Sequence, residues 1–275
     1  MKNLVLSTDG IPVCYEVHGT GAPALIFVHG WSCDRSYWSH QVSYFAGRYQ
    51  VVAIDLGGHG ESGVGRQAWT MPAFGDDVLA VVEKLGLGEL VLIGHSMGGD
   101  VIVEAALHLA GRVVGLVWAD VYSSLGEPRT PEQIEQFRAP FREDFVTATR
   151  DLVRGMFVPS SDAGLVDWVV TDMSAAPPEI AVDALQHAIS NERAILAGLR
   201  ELKVPIVAIN PDYRPTDIEA LRRHGVESVL MPGVGHFLMM EDPETFNRLL
   251  DETIEEFKES ARVRVRPSDQ EDTFT

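Results

Sequence analysis

Residues 91–99 read VLIGHSMGG, an apolar run that leads into a Gly-x-Ser-x-Gly turn. Positions 90–93 are apolar or β-branched without alternation, which is typical of a strand buried on both faces of a parallel sheet. After the turn, apolar residues recur at helical spacing as far as Leu109. The stretch therefore predicts a strand, a sharp turn and a helix, with Ser96 at the apex of the turn.

A turn of this kind constrains the backbone around the serine. So tight a reversal forces Ser96 into a strained conformation and brings its flanking backbone against neighbouring elements, where only small residues fit. Gly94 and Gly98 meet that requirement. The serine Oγ then stands clear of the sheet at a helix N-terminus, where the amide of Met97 faces a developing oxyanion. We therefore predict Ser96 as a nucleophile and Met97 as an oxyanion donor.

A second motif follows the buried strand predicted over residues 24–28. His29 and Gly30 end that strand, and a His-Gly pair there lets the loop backbone pass over the nucleophile. The amide of Trp31 is then placed to supply the second oxyanion donor. His59 lies in another glycine-rich turn, but nothing in the sequence nearby would orient it as a base, so we predict a histidine that is hydrogen-bonded locally.

Strands and helices alternate along most of the chain, which predicts a parallel sheet built from right-handed crossovers. Residues 124–202 break the alternation with several helical patterns in succession and are predicted to form a helical cap over the site. The core of the fold is predicted to comprise residues 1–123 and 203–260. Residues 261–275 are predicted to be a flexible, solvated tail.

Composition restricts the partners and the compartment. The chain of 275 residues has 22 basic and 40 acidic residues, and its net charge of −18 argues against binding to nucleic acid or to an anionic membrane. Two cysteines, Cys14 and Cys33, provide neither a disulfide framework nor metal-ligand spacing, which favours a reducing compartment. With no signal-peptide pattern and no apolar run of membrane-spanning length, we predict a cytoplasmic protein without a metal or cofactor.

Together with a late Gly-His-Phe turn that contains His236, these motifs stand in an order that resembles the α/β-hydrolase family up to about residue 258. The resemblance implies an α/β fold: a mostly parallel eight-stranded sheet with helices on both faces and a helical cap inserted after strand 6. It also implies Ser96 as nucleophile, His236 as base, and the amides of Trp31 and Met97 as the oxyanion hole. Because position 96 is not aspartate, the resemblance to epoxide hydrolases and haloalkane dehalogenases ends at the fold.

The third member of the triad has two candidate positions. The family's acid usually follows the seventh strand, where this chain has Arg214 at the expected place and Asp212 two residues early. The alternative place is the end of the sixth strand, where Asp120 resembles the acid of some haloalkane dehalogenases and of lactone hydrolases acting on zearalenone. We favour Asp120 over Asp212, and Asp217 least. The competing interpretation is that Asp120 only holds the loop that enters the cap.

The predicted function is a cofactor-free serine hydrolase that cleaves a carboxylic ester or lactone through an acyl-enzyme. One alternative is a cofactor-free perhydrolase of the non-haem haloperoxidase type. Another is a ligand-binding receptor that keeps the fold and signals through its cap, although an intact set of catalytic residues favours the enzyme. Because Phe and Met dominate the bulky cap residues and the net charge repels anions, the substrate is predicted to be small, apolar and uncharged.

Overall fold

One eight-stranded sheet organises the protein, whose computed structural model describes residues 2–109 and 111–265. Its strands, in chain order, are β1 (Lys2–Leu6), β2 (Pro12–His18), β3 (Ala24–Val28), β4 (Val51–Asp55), β5 (Leu90–His95), β6 (Val113–Ala119), β7 (Ile206–Pro211) and β8 (Val226–Met231). Their spatial order is β1-β2-β4-β3-β5-β6-β7-β8. The β1–β2 and β2–β4 pairs are antiparallel and all other pairs are parallel. The predicted mostly parallel sheet is confirmed.

Helices fill the connections between the strands. In the described part of the chain they are α1 (Ser39–Phe45), which follows a 3-10 turn (Arg35–Trp38), α2 (Met71–Leu85), α3 (Met97–His108), α4 (Pro131–Glu143), α5 (Phe145–Arg154), α6 (Ala163–Ser174), α7 (Pro178–Ile189), α8 (Glu192–Glu201), α9 (Ile218–Arg222), α10 (Leu238–Glu241) and α11 (Pro243–Val265). Within these described residues, each helix is too short or too polar to span a lipid bilayer.

Strand β6 shows that helices cover both faces of the sheet. Side chains of successive strand residues point to opposite faces. A Cβ added at Gly115 would lie 2.1 Å from the ring of Phe257 in α11. Trp118, an odd number of positions further on, donates its indole N–H to the carbonyl of Gly99 in α3 at 3.2 Å. Helices α11 and α3 therefore lie on opposite faces, as predicted.

Helices α4 to α8 lie between β6 and β7, the place predicted for the inserted helices. They pack against the loop that follows β3. The rings of Phe141 and Phe145 pack edge-on against Trp31, with centroids 5.6 and 6.0 Å away. The indole N–H of Trp31 donates to the carbonyl of Ala181 in α7 at 2.7 Å. One tryptophan thus joins three of the inserted helices to the sheet.

The last helix is longer than the sequence predicted. Asp242 caps its start by accepting a hydrogen bond from the amide of Thr245 at 3.1 Å. The helix continues to Val265, so it includes residues 261–265, which were predicted to belong to the tail. After Pro243, the next residue in the sequence that breaks a helix is Pro267, which explains why the helix continues past Ser260. The remainder of the predicted tail lies outside the described residues.

Candidate active site

All five predicted site residues meet at one edge of the sheet. The parallel strands end there, with Trp31 following β3, Ser96 following β5, Asp120 following β6 and His236 following β8. These residues and Met97 line one cavity of about 460 Å³. Crevices at the carboxyl ends of strands are the usual ligand sites of open α/β sheets. The cavity is therefore the candidate active site.

Ser96 has the strained backbone expected of it. Its φ of 50° and ψ of −121° lie outside the regions that a residue with a side chain ordinarily adopts. A Cβ added at Gly94 would lie 2.3 Å from the carbonyl oxygen of Gly98, and one at Gly98 would lie 2.5 Å from that of Val28. The two glycines are thus required by close backbone approach, and they allow the turn to present Ser96 to the cavity.

Two backbone amides beside Ser96 are available to a ligand. Met97 is the first residue of α3, so its N–H has no partner within the helix. The chain before Trp31 passes over the serine, since a Cβ added at Gly30 would lie 3.2 Å from the Cβ of Ser96. Among the described residues, neither the Trp31 nor the Met97 amide donates a hydrogen bond to a protein acceptor. The pair is suited to stabilising an oxyanion.

His236 is paired with Asp120, although 116 residues separate them in sequence. Its Nδ1–H donates to Oδ2 of Asp120 at 2.6 Å, and both side chains are buried. Burial raises the pKa of Asp120, but the charges of His236 and Arg214 more than offset this, so the pKa lies below its usual value. Asp120 is an ionised carboxylate that fixes the tautomer of His236 and leaves Nε2 available for proton transfer.

The other two acid candidates are engaged elsewhere. Asp212 accepts a hydrogen bond from the amide of Gly233 at 2.9 Å and is exposed. Asp217 caps α9 by accepting from the amide of Ala220 at 2.9 Å. Asp120 is thus the carboxylate that is hydrogen-bonded to His236.

The main chain of His236 is held from two sides. Its N–H donates to the carbonyl of Met156, just after α5, at 2.8 Å. Its carbonyl accepts from Nε2 of His95, the last residue of β5, at 3.0 Å. Burial lowers the pKa of His95 well below its usual value, which keeps that ring neutral. Sequence reasoning missed this role, for which the position of His95 next to Ser96 was the only signal.

Comparison with known proteins identifies the family. The family model described as the alpha/beta hydrolase family matches residues 25–249. The chain belongs to the alpha/beta hydrolase family. It is 25% identical to 3-oxoadipate enol-lactonase 2 of Acinetobacter baylyi, over 92% of this chain and 96% of that one. It is 27% identical to a non-heme chloroperoxidase of Streptomyces lividans, over 88% of this chain and 96% of the relative.

Solved structures agree with this assignment. A thermophilic esterase from Thermogutta terrifontis, described as malate bound, superimposes with a TM-score of 0.80 at 25% identity. The match covers 94% of this chain and 99% of the esterase. This similarity supports the α/β-hydrolase fold of the chain.

Arg214 is where this hydrolase departs from the usual family pattern. The family resemblance implied an acid at this position, and here Nη2 of Arg214 donates to Oδ1 of Asp120 at 2.9 Å. The hydroxyl of Tyr213 also approaches Asp120 Oδ2, at 3.4 Å. The cation after β7 therefore contacts the carboxylate after β6. The sequence gave no sign of this contact.

The cavity wall is more polar than the cap sequence suggested. Apolar residues of the inserted helices do line it, among them Phe137, Leu152 and Leu185. The cavity is also lined by residues with charged or hydroxyl groups, including Asp100, Tyr122, Glu127, Arg129 and Glu192. Most of these polar groups come from α3 and from the loop after β6, which the count of bulky cap residues did not include. The expectation of a mainly apolar pocket is therefore incomplete.

His59 lies outside this cavity, and so does a cluster of potential metal ligands. His59 donates from Nδ1 to the carbonyl of Gly57 at 3.0 Å, and burial lowers its pKa to about 3, which confirms the locally bonded histidine predicted.

Cys14, Asp55 and Glu61 approach one another, but Arg35 forms ion pairs with both carboxylates. Burial also raises the pKa of Cys14, so the thiol stays protonated. This group suits a guanidinium rather than a metal ion.

Proposed function

We propose that this protein is a serine hydrolase that cleaves a carboxylic ester or lactone through an acyl-enzyme intermediate. The observation that carries the proposal is the buried Asp120–His236 pair, which lines the same cavity as the strained Ser96. A serine, a histidine and an orienting carboxylate are the groups that nucleophilic acyl transfer requires.

In the proposed mechanism, Nε2 of His236 takes the proton of Ser96 as its Oγ attacks the substrate carbonyl. The oxyanion of the tetrahedral intermediate accepts hydrogen bonds from the amides of Trp31 and Met97. Collapse of this intermediate breaks the ester bond, and His236 returns the proton to the departing alcohol oxygen. Water then attacks the acyl-enzyme with His236 again as base, releasing the acid and restoring Ser96. Asp120 stabilises the imidazolium in both halves.

Membership of the family supports the reaction class, and the names of the relatives support the substrate class. At the family level, the chain is a carboxylic ester hydrolase with small esters or lactones as substrates, like the enol-lactonase and the esterase reported above. The buried and free Cys14 and Cys33 support a reducing, cytoplasmic location. We assign to residues 124–202 the role of a cap, because their side chains form part of the cavity wall beside Ser96.

A second candidate function follows from the chloroperoxidase relative. In a perhydrolase, hydrogen peroxide instead of water attacks the acyl-enzyme and yields a peracid, so the same residues serve both reactions. Comparing hydrolysis of p-nitrophenyl esters and a lactone panel with peroxide-dependent bromination separates the two. Bromination faster than hydrolysis would favour the perhydrolase.

A fluorophosphonate probe tests the covalent step directly. It is expected to add one phosphonyl group per chain, and mass spectrometry is expected to locate it on the peptide that contains Ser96. The probe should leave the Ser96→Ala variant unmodified. Equal labelling of that variant, or an adduct at another serine, would show that Ser96 is not the nucleophile. A receptor without turnover would show no ester hydrolysis above the buffer rate.

Replacing Arg214 with glutamine is expected to move the acid limb of the pH profile of kcat/KM to higher pH. Arg214 lowers the pKa of Asp120 against the effect of burial, so its removal raises that pKa. As the solution is acidified, the carboxylate that orients His236 is then lost at a higher pH. The Arg214→Lys variant keeps the cation and is expected to keep the wild-type limb. An unchanged limb in the glutamine variant would contradict this role.

A further inference from the structure

Asp100 is a buried carboxylate in the wall of the cavity that contains Ser96. It lies in the first turn of α3, four residues after the serine, which is the N-cap residue of that helix. Four residues of helix rise by about 6 Å, which separates the two along the axis. The proposed mechanism gives Asp100 no task, although a carboxylate is costly to bury so close to a reaction centre.

Two neutral donors hold this carboxylate in place. The hydroxyl of Tyr122, in the loop after β6, donates to Oδ1 at 3.0 Å. The amide of Asn191, just before α8, donates to Oδ2 at 3.0 Å. A carboxylate oxygen can accept two hydrogen bonds, and among the described residues each oxygen of Asp100 has one donor, so one acceptor position on each is left for another donor. Three separate segments of the chain therefore hold in place a carboxylate that can accept two further hydrogen bonds.

The charge at this place is poorly compensated. Burial raises the pKa of Asp100 to about 7, although Asn191 and Tyr122 act in the opposite direction. Glu104 on the same helix and Glu192 on α8 raise it further by charge repulsion. A donor brought in by a ligand would supply part of the stabilisation that solvent no longer gives.

We propose that Asp100, held by Tyr122 and Asn191, is a specificity-determining subsite that accepts a hydrogen bond from a hydroxyl or amide N–H group of the substrate. The inference rests on the proposed function and narrows its substrate class. Favoured esters and lactones carry such a donor about three to six bonds from the scissile carbonyl, a length that covers the rise of about 6 Å along the helix axis between the two positions. A purely hydrocarbon ester leaves Asp100 without this partner.

The test compares substrates that differ only in methylation of the donor. In the hydroxyl arm, p-nitrophenyl 3-hydroxybutanoate and 6-hydroxyhexanoate are each compared with their methyl ethers. In the amide arm, the p-nitrophenyl ester of N-acetyl-β-alanine is compared with its N-methyl derivative. The wild-type enzyme is expected to prefer the donor-bearing member of at least one pair by roughly tenfold to a hundredfold in kcat/KM. Equal rates within every pair would overturn the proposal.

A charge-neutral variant connects the preference to Asp100. In Asp100→Asn, an amide N–H₂ replaces one acceptor oxygen, so the preference is expected to fall by about tenfold. The matched control is Glu104→Gln, which removes the same charge from the same helix at a half-buried position, and it is expected to keep the wild-type ratio. Retention of the preference by Asp100→Asn would overturn the proposal. The wild-type comparison needs no variant, and equal rates within every pair overturn the proposal even if Asp100→Asn fails to fold.

Binding measurements separate this inference from the proposed reaction. Calorimetry with Ser96→Ala protein, which is not expected to hydrolyse the esters, should show tighter binding of the donor-bearing member of the preferred pair. A preference in binding together with failure of the fluorophosphonate test would uphold the subsite and reject the serine mechanism. Labelling of Ser96 without any donor preference would uphold the serine mechanism and reject the subsite.

Discussion

The Ser96→Ala variant is expected to lower kcat for ester hydrolysis by about 10⁶-fold, since loss of such a nucleophile removes the covalent route. The variant should remain folded, because the partly exposed serine side chain fills no core cavity. Alanine at this position still has to adopt the positive φ of 50° that the turn imposes. Hydrolysis of p-nitrophenyl butanoate and the circular dichroism spectrum measure the two effects.

Ser32 provides a matched control for this experiment. It is also a serine with a positive φ, of 54°, and its buried Oγ has no hydrogen-bond partner among the described residues. It lies one residue after Trp31 but lines a different cavity. Ser32→Ala is therefore expected to keep kcat within about threefold, as expected for a group that makes no contact with the reacting atoms. Retention of more than a few per cent of wild-type kcat by Ser96→Ala would exclude Ser96 as the nucleophile.

The Asp120→Asn variant is expected to lower kcat by about 10⁴-fold, the size of effect seen when the orienting carboxylate of a serine triad is lost. An asparagine amide presents an N–H₂ group or a neutral oxygen to Nδ1 of His236. The charge that stabilises the imidazolium is lost, and the ring can be held in the wrong tautomer. Steady-state hydrolysis of the same ester gives the magnitude.

Asp212→Asn is the matched control for the acid. Asp212 is the carboxylate at the seventh strand and bonds only to the amide of Gly233 among the described residues. Its change to asparagine removes the same charge from a residue that is bonded to the loop three positions before His236. The variant is expected to cost no more than about tenfold, well below the loss of a triad acid. If the two results were reversed, the acid would have the usual seventh-strand position and the Asp120–His236 bond would have only a structural role.

Local sequence was enough to identify much of this protein. The strand, turn and helix around Ser96 could be predicted because each depends on near neighbours: apolar residues for a buried strand, glycines for close backbone approach and helical spacing afterwards. The same reasoning found the His-Gly loop and the inserted helices between β6 and β7. It failed at the end of α11, where helix continuation depended on the absence of a breaker and not on a positive signal.

Contacts between distant segments were beyond the reach of such patterns. The sequence placed Asp120 and Asp212 after neighbouring strands, and only the assembled sheet brings one of them within 2.6 Å of His236. The contact of Arg214 with Asp120 likewise joins the ends of two strands that pair in the sheet. Whether two side chains at the ends of neighbouring strands touch depends on the register of the strands and on the course of the loops. The spacing of residues along the sequence does not specify either.

The sequence by itself determined the fold and the family resemblance, and it predicted Ser96, His236 and the amides of Trp31 and Met97 as site groups, because those features follow from short motifs at strand ends. Tertiary structure decided which carboxylate is hydrogen-bonded to His236 and how polar the cavity is. It also brought Asp100 to the hydrogen-bonding group of Asn191, which is 91 residues away in the chain. The physical reason is that hydrogen bonding and burial depend on distances in space, which are fixed when the inserted helices pack onto the sheet.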